Sequence, residues 1–181
     1  CDMVCAQLGV TTKCRTAEEN LVDDPTPALM SRAKKVFPTY GAELAASRLG
    51  NEKLERVMDR MESKPETKQL VCECENVTLA EIQEIAAEPS SHTVSDVRRR
   101  TRLGMGTCQG AFCAYRAVGA LDNEEFPWAK DTTFLFKEFI ESRWIGIRPV
   151  LWGNMFRDTE LTRGIYDATL NINGAMINDE K

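Results

Sequence analysis

Four cysteines in two short pairs are the residues of this chain best equipped for chemistry. Cys72 and Cys74 bracket one residue, Cys108 and Cys113 bracket four, and residues 75–107, 33 of them, lie between the pairs. Thiolates are metal ligands, and four of them suit either zinc or an iron–sulfur cluster. Structural zinc usually takes ligands two to four residues apart, so Cys-x-Cys is tight for it and Cys-x4-Cys is loose. A two-iron cluster is larger and each iron accepts two thiolates, which leads to the expectation of one cysteine pair per iron. Zinc, and buried cysteines without metal, stand as the alternatives on spacing alone.

A cluster held by four thiolates is anionic and gains one more negative charge on reduction. Backbone N–H groups near helix N-termini offset such charge, and both pairs read as lying just before or at helix starts. Gly104, Gly106 and Gly110 would let the backbone turn its amides toward sulfur, and Thr107 offers a hydroxyl.

Helices must position these groups. Thr78 and Glu81 form a capping box ahead of Leu79, Ile82, Ile85 and Ala86. Ser95 is placed to cap a second helix through Val97 and Leu103, and a third is predicted over 111–121. Upstream, Leu29, Ala33 and Val36 recur at helical spacing until Pro38. Leu44, Ala45 and Leu49 form a second face ended by Gly50. Leu54, Val57, Met58 and Met61 then follow the i, i+3, i+4, i+7 rule up to Pro65. Downstream, Asp131 can cap a helix carrying Leu135, Phe136, Phe139 and Ile140, residues 144–152 read as extended, and 157–170 read as helix.

Residues 1–9 form a short helix with Val4, Cys5 and Leu8 on one face, and 11–27 read as an irregular connection. The expected fold is mainly α: a small helical domain at 67–122, helical segments at 28–66 and 123–181, a linker at 1–27, and little or no sheet.

The remaining candidates carry plainer readings. Cys5 is assigned to core packing; Cys1, four residues before it, and Cys14 join no ligand pattern. Arg98, Arg99, Arg100 and Arg102 spread over several helix faces. They read as a solvated surface, or as one or two charges standing near the cysteines and favouring a reduced, more anionic centre. His92 lies in a turn and is expected to be exposed. Trp128, Trp144, Trp152 and the aromatics of 134–139 are expected to pack within the chain.

Composition bounds the rest. The 181 residues carry 23 Lys and Arg against 28 Asp and Glu, a net charge of −5, so a nucleic-acid partner is not expected. No apolar run approaches the roughly 20 residues of a membrane helix. Seven cysteines, an odd number, in a chain of this size favour a reducing, cytoplasmic setting and metal binding over a disulfide framework. A single histidine gives a histidine-centred triad little support, and no glycine-rich nucleotide fingerprint occurs. Cys1 in place of Met suggests a piece of a longer chain.

Val71-Cys72-Glu73-Cys74-Glu75 with Cys108-Gln109-Gly110-Ala111-Phe112-Cys113 resembles the bacterioferritin-associated-ferredoxin-like 2Fe–2S domain. The stretch Asp96-Val97-Arg98-Arg99-Arg100-Thr101-Arg102-Leu103-Gly104-Met105-Gly106-Thr107-Cys108 is similar to the C-terminal part of the large, flavin-bearing chain of the quinone-linked, anaerobic glycerol-3-phosphate dehydrogenases. So are Arg148-Pro149-Val150-Leu151-Trp152-Gly153 and Glu160-Leu161-Thr162-Arg163. The opening Val4-Cys5-Ala6-Gln7-Leu8-Gly9 resembles the last turn of that family's flavin domain, which would make 1–27 its remnant and linker. The resemblance implies a 2Fe–2S cluster on Cys72, Cys74, Cys108 and Cys113. It also implies FAD in an N-terminal domain absent here, so that this piece alone would not turn over substrate. Electrons would pass from the chain's own flavin domain toward other dehydrogenase subunits and quinone, in the cytoplasm. Membrane contact would come only through a partner subunit. The alternative is a zinc-stabilised helical docking module without redox work.

Overall fold

The computed structural model describes residues 2–12, 14–15, 17–19, 23–38, 40–123 and 125–172. Among the described residues, eight α-helices and one two-stranded sheet run in the order α1 (Asp2–Gln7), α2 (Pro27–Val36), α3 (Gly41–Ser63), β1 (Leu70–Cys72), β2 (Val77–Thr78), α4 (Leu79–Ala86), α5 (Val94–Thr101), α6 (Ala114–Leu121), α7 (Thr132–Ile147) and α8 (Gly153–Leu170). The mainly α expectation holds.

Local chemistry accounts for most of these boundaries. Thr26 accepts a hydrogen bond from the Leu29 N–H at 3.2 Å, with Pro27 in the first turn, where its missing donor is harmless. Helix α3 is interrupted at Gly50 (φ 73°, ψ 174°), beyond which Leu54, Val57, Met58 and Met61 are completely buried. The capping box at Thr78 and Glu81 forms as its residue types require. One hydrophobic cluster joins Leu29 and Val36 of α2, the buried face of α3, Ile82 and Ile85 of α4, Val97 of α5, Val118 and Leu121 of α6, and Phe139 and Ile140 of α7. Trp128 leans on this core and donates from Nε1 to the Ala86 carbonyl at 3.2 Å. Trp144 also packs on it, whereas Trp152 is 80% exposed.

Several expectations need correction. The cap of α5 is Thr93, not Ser95, because only Thr93 has an acidic residue, Asp96, three positions on to complete the reciprocal bonds. Residues 144–147 continue α7 rather than extending, since the buried face of Leu135, Phe136, Phe139 and Ile140 carries on to Trp144. Residues 111–113 are turn, so α6 begins later than expected. Cys5 is only half-buried on α1, a helix with no buried residue, and is not core. Cys1 lies outside the described residues. His92 is exposed, as expected.

The α5 cap carries a measurable pH signature. Burial by itself raises the Asp96 carboxyl. The His92 N–H, the Thr93 hydroxyl, the Arg99 guanidinium and the Thr93 N–H outweigh it and hold it down to about 2, from an ordinary 3.8. A depressed folded value contributes stability above the unfolded value, and that stability is lost as pH falls through the folded one. Asp96→Ala is therefore expected to lower stability at pH 7 by about 1–2 kcal/mol. It should also flatten the fall in stability between pH 3.8 and about 2, which unfolding curves at stepped pH would read.

Candidate metal centre

The first cysteine pair sits on a hairpin. Leu70 pairs with Thr78 and Cys72 with Val77, so Cys72 closes β1 and Cys74 lies in the turn that follows. Asn76 takes a left-handed conformation (φ 50°) at the end of that turn. This pair therefore does not lie at a helix start; β2 stands between it and α4.

The second pair lies on the loop between α5 and α6. The chain leaves α5 through left-handed Arg102 (φ 64°), buries Leu103, and winds through successive turns to Cys113. Gln109 folds back on the loop, its side-chain amide donating to the carbonyls of Gly106 at 2.8 Å and Met105 at 3.3 Å. Cys113 is the N-cap residue of α6, so here the helix-start expectation is met.

The two pairs meet crosswise. The Cys74 and Cys108 sulfurs are 3.8 Å apart, with the Thr107 hydroxyl 3.9 Å from Cys74. Cys72 and Cys113, both buried, stand close enough to act on each other's proton, and Cys108 is near enough for its charge to act on Cys113. The Cys74–Cys108 contact and the approach of Cys72 to Cys113 each join one cysteine of the hairpin to one of the loop. The Cys72 thiol is pulled down to about 6, by the Cys113 thiol first and then by the N–H groups of Gly104 and Glu75, which outweigh its burial. Its partner Cys113 is pushed up by the nearness of Cys72, by burial and by the neighbouring sulfur charges. Among the described residues, no three of His, Cys, Asp and Glu gather around a single ion-sized point.

Backbone space is what allows the crossing. A Cβ on Gly106 would lie 2.3 Å from the Cys74 Cβ, a distance that only hydrogen tolerates, and 3.3 Å from its sulfur, a tight contact. Gly110 (φ 91°) has the Phe139 ring against it, 2.9 Å from where a Cβ would sit, so α7 closes the loop from behind.

Charge surrounds the hairpin turn. Glu73 pairs with Arg116 of α6, and Glu75 with Arg102 at 2.8 Å. The arginine run thus divides: Arg102 reaches the residue beside Cys74, Arg99 pairs with Asp96, and Arg100 bonds Ser90 and Ser91. The sequence pattern gave no sign of Arg48, whose buried side chain donates to the carbonyls of Thr101 at 2.7 Å and Glu75 at 3.0 Å.

Four thiols, two on each of two crossing segments, with backbone N–H groups aimed at sulfur and a glycine where the segments touch, form a donor set that fits an iron–sulfur centre. Residues 70–123 match the BFD-like 2Fe-2S binding domain. The matched segment contains all four cysteines, the hairpin and helices α4 to α6. The whole chain is similar to the A chain of the anaerobic glycerol-3-phosphate dehydrogenase of Haemophilus influenzae, 34% identical over 99% of this chain and 31% of the relative. The corresponding Escherichia coli protein is 36% identical over 91% of this chain and 30% of its own length. The A1 chain of the Haloferax volcanii enzyme is 32% identical over 94% and 28%. The chain thus spans about a third of the length of these relatives. No solved structure matches it. Among the described residues, no helix is long and apolar enough to cross a membrane.

Proposed function

We propose that Cys72, Cys74, Cys108 and Cys113 hold a 2Fe–2S cluster and that the chain is the C-terminal, electron-relaying part of a flavin-dependent glycerol-3-phosphate dehydrogenase. The observation that carries this reading is the crosswise meeting of the two cysteine pairs inside the segment that matches the BFD-like domain. Similarity to the dehydrogenase relatives over nearly the whole chain supports the rest. When bound, the cluster accepts and releases one electron at a time.

The chain's own residues do the holding. Cys72 and Cys113 supply thiolates from the protein interior, Cys74 and Cys108 from nearer the surface. The Gly104 and Glu75 N–H groups point at sulfur and stabilise negative charge there. Buried Val71, Leu103 and Phe139 keep water from the inner side, which sharpens every electrostatic contact. In the full-length protein, electrons from an FAD domain pass through this segment toward partner subunits and quinone. The chain stays cytoplasmic, and its membrane contact runs through a partner.

Protein purified without oxygen should contain about two irons and two acid-labile sulfides per chain, with an EPR signal that develops on reduction by dithionite. A colourless, EPR-silent protein replete with zinc would replace this reading with a structural docking module.

A further inference from the structure

We infer that Arg48, which lies in α3 outside the matched segment, is a positioning residue for the metal centre. It fixes the cysteine hairpin through the Glu75 carbonyl and supplies the buried positive charge that favours the reduced cluster. The inference rests on the 2Fe–2S reading above.

Its side chain is 6% exposed. Nε bonds the Leu44 carbonyl of its own helix at 2.9 Å, and the two terminal nitrogens bond Thr101 at the end of α5 and Glu75 in the hairpin turn. One planar guanidinium thus ties three segments together, including the residue next to Cys74, and its fork suits several acceptors at once. Carbonyls satisfy its donors but do not cancel its charge. The facing carboxylate, Glu81, is completely buried and stands 3.9 Å away, with Oε1 free of hydrogen bonds among the described residues. Burial pushes the Glu81 carboxyl up against the influence of Arg48 and of Thr78, and its other oxygen is engaged by the Thr78 N–H and hydroxyl at 2.8 Å each. Cys72 lies within reach of the Arg48 charge, and so do Glu75 and Arg102. Charges inside a protein act on one another far more strongly than in water. A cation beside a centre that becomes more anionic on reduction therefore raises its potential.

The test is redox titration, followed by EPR, of the wild-type chain, Arg48→Gln and Arg48→Lys, each reconstituted without oxygen. Arg48→Gln should titrate at a lower midpoint potential. Arg48→Lys keeps the charge but not the fork, so it should stay near the wild-type potential while unfolding at a lower temperature. A loaded Arg48→Gln at the wild-type potential would overturn the inference. If Arg48→Gln loads no cluster, Arg48→Lys decides: an unchanged potential supports the inference and a lowered one overturns it. Loss of the cluster in both variants reduces Arg48 to a structural clamp and overturns the charge role. A wild-type chain without reducible iron would instead sink the 2Fe–2S reading itself, whatever the variants do.

Discussion

Replacing Gly106 with alanine should empty the metal centre while leaving most of the helices in place. The added carbon would stand 2.3 Å from the Cys74 Cβ, inside any tolerable contact, and that neighbour is the base of a proposed ligand rather than the end of a flexible side chain. Either the 103–113 loop or the hairpin turn must move, and either movement separates Cys74 from Cys108, now 3.8 Å apart. Overpacking of this kind costs about 1–3 kcal/mol. Gly119→Ala is the control. It lies on the exposed side of α6 with nothing within 4 Å of the new carbon, and it should stabilise by about 0.5–1 kcal/mol through helix propensity. Iron and sulfide per chain, read beside thermal unfolding, separate the two. Full iron in Gly106→Ala would mean that Cys74 need not stand where it does, and would remove it from the ligand set.

The sequence was most informative where a property is carried by neighbours along the chain. The 3.6-residue recurrence of Leu54, Val57, Met58 and Met61 predicts their complete burial. Thr78 and Glu81 announce their own cap because both partners lie within one turn. At α5 two hydroxyls competed, and the deciding signal, an acid three residues after Thr93, was present to be read. The hairpin under Cys72 and Cys74 was missed because its turn contains neither glycine nor proline; left-handed Asn76 is the only cue. The cysteine spacing suggested a pair for each iron, and nothing in it revealed that the contacts run crosswise, from hairpin to loop. Arg48 left no trace at all. Its acceptors outside its own helix are backbone carbonyls 27 and 53 residues away, and every residue type has a carbonyl. Positions that depend on side-chain pattern are legible in this way, and those that depend on where the backbone arrives are not.

Serine at any of the four cysteines should remove the cluster, but the accompanying loss of stability should differ between the contacts. Cys72 and Cys113 are each 1% exposed and stand close enough to act on each other's proton. A serine there places a more polar group in a dry site, and metal-free protein should lose about 1–2 kcal/mol. Cys74 is exposed and Cys108 half-exposed, so serine at either should leave metal-free stability nearly unchanged. Iron retention should nonetheless fall in all four. The drop should exceed the roughly 10–100-fold typical of losing a group that merely orients a ligand, because on the proposed ligand set a bond to the metal itself is removed. Cys5→Ser and Cys14→Ser should keep iron at the wild-type level, since both residues lie outside the segment 70–123 that matches the 2Fe-2S binding domain. If the proposed flavin-dependent dehydrogenase reading holds, Cys108→Ser in the flavin-bearing protein should still allow substrate to bleach the flavin while electron delivery to the acceptor stops. That split would place these thiolates after substrate oxidation and before the partner. Loss of flavin bleaching in the same variant would mean that the loop supports the flavin domain instead, and the relay would have to be sought elsewhere.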